Sequence, residues 1–426
     1  MRYDAMQPEQ LQTEYQAVCQ QYEACKAKNL KLDMSRGKPG REQLDLSLPM
    51  MTILDSAEDC MADAMDARNY GELCGLPSCR ALFAELLGVR PAQVYAGGNA
   101  SLQLMYDILA KAYTHGLTHS KEPWGKLNQV KFLCPVPGYD RHFGISQSFG
   151  MKMIPIPMNA EGPDMDAVEE AVKDPMVKGM WCVPKFSNPE GIVYSEATVR
   201  RIAALKPAAP DFIIMWDNAY CVHEFDSEYI PFSDILSLCE EAGNPDMVFE
   251  FASTSKITFP GAGVGVFATS EANMAYMKSL LTYQTIGYDK VNQLRHVKFL
   301  KNRETILELM QEHAKILKPR FAAVLRALEC EIAPLGFASW NKPVGGYFIS
   351  LNTKPGCARR TIALAKEAGV VMTNAGATHP YHKDPSDQTI RIAPTLPPVA
   401  ELEEAIAVLC VCLKLAVIEQ LLGLEA

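Results

Sequence analysis

Between Val94 and about residue 270 the chain repeats one pattern, a short apolar run, then a Gly- or Pro-rich turn, then a helix-patterned stretch, and few folds satisfy it. The apolar runs are Val94–Ala96, Val130–Cys134, Met151–Ile156, Met180–Val183, Phe212–Trp216, Met247–Phe251 and Gly265–Ala268. Short strands alternating with helices close into a mostly parallel sheet covered on both faces. The expected class is α/β, a large domain with a mostly parallel seven-stranded sheet between helices, plus a smaller α+β domain. A helical stretch from about Tyr288 past Leu309, stopping near Pro319, is expected to lead into the second domain. The expected division is 1–50 as an N-terminal segment joining the small domain, 51–315 as the large domain and 316–426 as the small one.

In such sheets ligands bind beyond the carboxyl ends of the strands, so the residues that follow each run carry the functional information. After the first run, Gly97-Gly98-Asn99-Ala100-Ser101 opens a helix, and free amides with the helix dipole make a phosphate seat. After the second, Pro135-Val136-Pro137-Gly138-Tyr139 presents an aromatic ring able to stack on a flat ligand. Asn188-Pro189 follows the fourth and turns an amide inward. Asp217-Asn218-Ala219-Tyr220 follows the fifth, and an acid at the end of an apolar strand is costly to bury unless it meets a cation. Ser253-Thr254-Ser255-Lys256 follows the sixth. A lysine dehydrated there has a lowered pKa and a free lone pair for Schiff-base chemistry, and the two serines can bond a phosphate.

Other signals bound the reading. A formal net charge of -9 offers no basic stripe for a nucleic-acid backbone. Thirteen cysteines, an odd number without Cys-x-x-Cys pairs or zinc-ligand spacing, read as reduced thiols of a cytoplasmic protein with no metal site. The N-terminus lacks the apolar core of a signal peptide, and the apolar tail at 405–413 is too short to span a membrane. Ser253-x-x-Lys256 matches the nucleophile motif of penicillin-binding proteins, but their Ser-Asp-Asn and Lys-Thr-Gly partners do not occur. Gly261-x-Gly263-x-Gly265 has the wrong spacing for a dinucleotide site and reads as close backbone packing. Ser35-Arg36-Gly37-Lys38-Pro39 reads as a surface loop or a substrate-facing one, and Tyr70, on a glycine-flanked turn, as a bystander or a hydroxyl reaching a neighbouring site.

Taken in order, these clusters and the late Arg391-Ile392-Ala393 resemble the pyridoxal-phosphate aminotransferases of fold type I, class I, across most of the chain. Ser35–Pro39 with Ser253–Phe259 is similar to the bacterial aspartate aminotransferase subgroup that also resembles the catalytic half of aminotransferase-like transcription regulators. The resemblance implies a pyridoxal 5'-phosphate cofactor carried by Lys256, which would also move the α-proton. Asp217 would pair with the pyridine nitrogen, Tyr220 and Asn188 would bond the ring O3', and Tyr139 would stack on the ring. Gly98, Asn99, Ala100, Ser253 and Ser255 would hold the phosphate, and Tyr70 that of a partner subunit in a homodimer. Arg391 would clamp the substrate α-carboxylate with two prongs, with Asn188 and Gly37 beside it. The implied reaction moves an amino group from an L-amino acid to a 2-oxo acid, with L-aspartate and 2-oxoglutarate the expected pair. An aromatic or broad-specificity exchange is the alternative, and a non-enzymatic pyridoxal-phosphate sensor a further one. Arg36, Lys38 and Arg295 are candidates to read a side-chain carboxylate. The family's usual Gly-x-Arg-x-Gly after the lysine is replaced by Gly261-Ala262-Gly263-Val264-Gly265, so other groups must balance the phosphate charge.

Overall fold

In the computed structural model, which describes residues 2–226 and 228–424, the seven apolar runs become strands of one sheet. In chain order the strands of that sheet are β1 (Val94–Ala96), β2 (Lys131–Val136), β3 (Lys152–Asn159), β4 (Gly162–Pro163), β5 (Val177–Cys182), β6 (Ile213–Asp217), β7 (Val248–Ser253) and β8 (Gly265–Thr269). Across the sheet the order is β1-β8-β7-β6-β5-β2-β3-β4. All neighbours among β7, β6, β5, β2 and β3 are parallel, whereas β8 runs antiparallel to both β7 and β1.

The sheet has eight strands, one more than expected, because β3 folds back into the two-residue β4 at its edge. Two residues form no apolar run, so periodicity cannot reveal such a hairpin. Every residue of β5 and β6 is buried, as a sheet covered on both faces requires. One side carries a core with Leu133, Met180, Ile214 and Val266, the other a core with Phe132, Trp181, Met215 and Phe249.

A further core gathers the first helix (Pro8–Ala27), the helix Ala358–Glu367 and the last helix (Val399–Leu421) around a three-stranded antiparallel sheet. That sheet comprises Ser339–Trp340, Ile349–Asn352 and Thr389–Ile392. Leu32–Asp33 pairs in parallel with Val370–Val371, and Tyr22 Oη donates to the Leu364 carbonyl at 3.0 Å, so the chain's beginning and end share one core. Among the described residues no helix is long and apolar enough to cross a membrane.

The helix Arg303–Glu331 links the cores, placing Ile306 and Met310 in the first and Phe321, Val324 and Leu328 in the last. It runs straight through Pro319, which was expected to stop it. The proline removes one backbone donor, but the buried side chains on either side, each worth about 1.5–3 kcal/mol, outweigh that local cost.

Candidate active site

A cavity of about 660 Å³ opens where the loops after β1, β2, β5, β6 and β7 meet the 35–38 and 371–391 segments. Asp217 ends β6, paired in register with Phe251 of β7, so its carboxylate and Lys256 emerge at neighbouring strand ends. Asp217 is buried, and its Oδ2 lies 3.0 Å from His142 Nε2, whose ring stacks on Trp181. Its Oδ1 is buried without a hydrogen-bond partner among the described residues. An unpaired carboxylate oxygen in such surroundings is a strong acceptor, and Asp217 lines the cavity.

Lys256 sits in a tight helical turn after β7, where Ile257 and Thr258 amides both donate to the Thr254 carbonyl. Thr254 and Thr258 hydroxyls bond His296 Nε2 at 3.2 and 2.9 Å, and His313 Nε2 lies 3.1 Å from the Ile257 carbonyl, so the turn is fixed from beneath. Burial pushes both histidines down to about 4. They are neutral hydrogen-bonding struts near pH 7. Lys256 Nζ lies 4.8 Å from the Tyr220 ring centroid and 5.9 Å from that of Tyr347. Burial lowers its pKa, and the Asp217 charge offsets part of that effect. Burial raises Tyr220 well above the ordinary phenol value, with Tyr139 and Asp217 adding to the effect. Tyr139 is pushed up to about 12 by burial, then by the Asp217 and Asp140 charges.

At one end of the cavity Ala100 caps the helix Ser101–Thr114, facing Ser253 and Ser255, whose hydroxyls are 3.1 Å apart. Here the glycines after Lys256 find their reason. A Cβ on Gly265 would stand 2.7 Å from the Ala100 carbonyl carbon, and one on Gly263 2.9 Å from Asn99 O. The turn packs directly on the backbone that opens the helix, as the spacing suggested, and leaves no space there for a long side chain.

At the other end Arg391, buried on the strand Thr389–Ile392, donates from Nη1 to Asp140 Oδ1 at 2.8 Å and to Asn188 Oδ1 at 3.2 Å. Its Nε reaches Thr373 Oγ1 at 3.4 Å, and its guanidinium carbon lies 5.0 Å from the Phe348 ring centroid. Gly37 closes this end, since a Cβ there would stand 2.5 Å from Phe348 Cζ.

Ala100, Tyr139, Asn188, Asp217, Tyr220, Ser253, Ser255, Lys256, Arg391 and Gly37 all line the cavity. Gly98 and Asn99 do not line it: Asn99 is exposed, and the Gly98 carbonyl accepts from the Gly265 amide. Tyr70 lies outside it and is 83% exposed. Arg36 and Lys38 line it, whereas Arg295 does not and donates instead to Asn292 at 2.6 Å. Sequence reading missed Asp140, Arg141, His142 and Thr373. The first three follow Tyr139 directly, and a helix start at that strand end was the available signal.

A family model described as aspartate amino-transferase matches residues 6–425. The aspartate aminotransferase of Corynebacterium glutamicum is 46% identical over 405 residues, covering 95% of this chain and 94% of the relative. A crystal structure of an aspartate transaminase from the same organism superposes with a TM-score of 0.97 at 45% identity, covering 99% of each chain. The α-aminoadipate aminotransferase of Thermus thermophilus, solved with N-(5'-phosphopyridoxyl)-L-leucine, shares the fold with a TM-score of 0.73 at 21% identity, covering 91% of this chain and 93% of that one. Fold and cavity thus define a fold type I aminotransferase. Within that class, the chain belongs to the aspartate amino-transferase family.

Proposed function

We propose that the protein uses pyridoxal 5'-phosphate to exchange amino groups between L-aspartate and 2-oxoglutarate. The observation that carries the cofactor assignment is the buried, unpartnered Asp217 Oδ1 sharing one cavity with Lys256. That pair fits a ring with a protonated nitrogen at one edge and an aldehyde at the other. The cofactor, when bound, supplies an electron sink for the carbanion left at the substrate α-carbon.

The chain's residues do the rest. Asp217 would accept the ring N–H through Oδ1, while His142 holds Oδ2. Tyr220, kept protonated by burial, would donate to the ring hydroxyl oxygen. Asn188 has committed Oδ1 to Arg391, so its Nδ2 is the donor left for that same oxygen. The first-turn amides of Ser101–Thr114 and the hydroxyls of Ser253 and Ser255 would hold the phosphate, in place of the family's arginine. Lys256 Nζ would accept and donate the proton of the substrate α-carbon, which its lowered pKa suits. Arg391 holds the α-carboxylate.

Aspartate is favoured by charge. Arg36, Lys38 and Arg141 line the same cavity, and among the described residues none of the three forms an ion pair. A second carboxylate on the substrate supplies the missing partner. A homodimer is favoured by Tyr70, Tyr283 and Ile286, which are 83%, 91% and 63% exposed on two loops that touch at Gly71 and Gly287. A partner subunit covering them would bring Tyr70 to the partner's phosphate.

An absorbance spectrum tests the central assignment. Purified protein with pyridoxal phosphate should show a yellow band that Lys256→Ala loses and that L-aspartate converts to the amine form. A colourless wild type would overturn the cofactor reading. A band moved by tyrosine and untouched by aspartate would overturn only the substrate.

A further inference from the structure

Arg391 is not free to grip a substrate with both prongs. A guanidinium has five N–H donors. Both hydrogens of Nη1 are engaged, with Asp140 Oδ1 at 2.8 Å and Asn188 Oδ1 at 3.2 Å, and Nε points at Thr373 Oγ1 at 3.4 Å. Only Nη2 makes no hydrogen bond among the described residues. A carboxylate bound through two parallel N–H groups needs a second nitrogen, so one of the present acceptors has to yield.

The three acceptors differ in how easily they leave. Asn188 is buried and follows β5. Thr373 is tied down, because its hydroxyl donates to the Ser35 carbonyl at 2.8 Å. Asp140 alone is a carboxylate, the same chemical group as the incoming ligand. Its side chain is 28% exposed against 7% for Arg391, so it has water to move into. It is also the first residue of the helix Asp140–Ser148, where a negative charge remains favourable after release.

Resting on the reading of Arg391 as the α-carboxylate clamp, we propose that Asp140 is a resident substitute for the substrate carboxylate, exchanged for it at each binding and release. The exchange keeps a buried guanidinium paired at all times, which avoids the cost of leaving the charge alone. It also weakens substrate and product binding alike. A reaction in two halves must release one 2-oxo acid before the next binds, and an internal competitor shortens that release.

The test uses succinate, an unreactive dicarboxylate, titrated into the pyridoxal-phosphate-loaded protein and read from the shift of the cofactor's absorbance band. Asp140→Asn removes the competing charge and should tighten succinate about tenfold, in line with ~1.4 kcal/mol per decade. Asp140→Ser guards against an asparagine that happens to keep the contact, and should tighten it as much. Stopped-flow release of 2-oxoglutarate should slow correspondingly in both variants. Unchanged or weaker succinate binding in both would overturn the exchange and make Asp140 a support for Arg391. Arg391→Gln separates the underlying reading. It should lose roughly 10²-fold in succinate affinity, as for a charged hydrogen bond deleted from a buried site. If it binds succinate like the wild type, the clamp assignment falls and the exchange falls with it.

Discussion

His142 Nε2 lies 3.0 Å from Asp217 Oδ2, and the His142 ring is stacked 4.2 Å from Trp181 with 5° between the planes. Trp181 is itself held by an indole N–H bond to Ser146 Oγ at 2.9 Å, on the same helix as His142. The stacking and the bond together hold the imidazole against Asp217 Oδ2, leaving Oδ1 as the carboxylate oxygen without a partner among the described residues.

Removing that imidazole should cost cofactor binding before it costs stability. In His142→Ala, Asp217 keeps its place at the end of β6, but its carboxylate loses its only hydrogen bond among the described residues. A charge-assisted bond in a buried site is worth about 1.5–3 kcal/mol, or roughly 10–10²-fold in affinity. Fluorescence titration with pyridoxal phosphate should show that loss, with His142→Asn retaining part of the affinity. Equal affinity in His142→Ala would mean the histidine serves packing alone.

How much of this was legible depended on whether the signal was local. The strand ends carrying Lys256, Asp217 and Asn188 could be read because an apolar run followed by a polar cluster lies within ten consecutive residues. The Asp140–Arg391 contact spans 251 residues and the His142–Asp217 contact 75, and no periodicity registers which strand end faces which. The two-residue β4 and the uninterrupted helix at Pro319 escaped for the reverse reason. There local pattern is weak or misleading, and tertiary packing decides.

Glu250, in the middle of β7, gives a stability signature free of catalysis. Its Oε1 accepts from Asn218 Nδ2 at 2.9 Å and its Oε2 has no partner among the described residues, and burial pushes the carboxyl up to about 8. A carboxyl whose folded value exceeds its unfolded value binds protons preferentially in the folded state. Its contribution is fully present below the unfolded value and declines as pH rises through about 8. Glu250→Gln keeps the Oε1 acceptor without the titration. Its melting temperature should be a few degrees above the wild type at pH 8.5 and converge with it near pH 5. Parallel melting curves for the two proteins over that range would refute the assignment.

Gly265 tests the phosphate end. A methyl group there meets the Ala100 carbonyl carbon at 2.7 Å, oxygen at 2.9 Å and nitrogen at 3.1 Å, all backbone atoms that cannot swing aside. Gly265→Ala should therefore displace the first turn of Ser101–Thr114, at about 1–3 kcal/mol for overpacking. The expected result is a lower melting temperature with weakened binding of pyridoxal phosphate and little change for pyridoxal, which lacks the phosphate. Equal weakening of both ligands would place the strain elsewhere than the phosphate seat.

Substrate choice rests on the cations that have no carboxylate. In aspartate the two carboxylates are separated by two carbons, so the reader of the second must stand close to Arg391. Arg141 follows Asp140, which touches Arg391, and Arg36 follows Ser35, whose carbonyl accepts from Thr373 beside the same guanidinium. Both are arginines, able to meet a carboxylate with two N–H groups, whereas Lys38 offers a point charge. Arg141→Gln should lower kcat/KM for aspartate by roughly 10–10²-fold, the worth of one charged hydrogen bond, and leave that for phenylalanine nearly unchanged. Arg36→Gln measured in parallel shows whether the second arginine shares the task. The ratio of the two kcat/KM values is the deciding quantity, because general damage to the cavity lowers both substrates together. A ratio unmoved in both variants means that neither arginine reads the substrate side chain, and the aspartate assignment then loses its basis in charge.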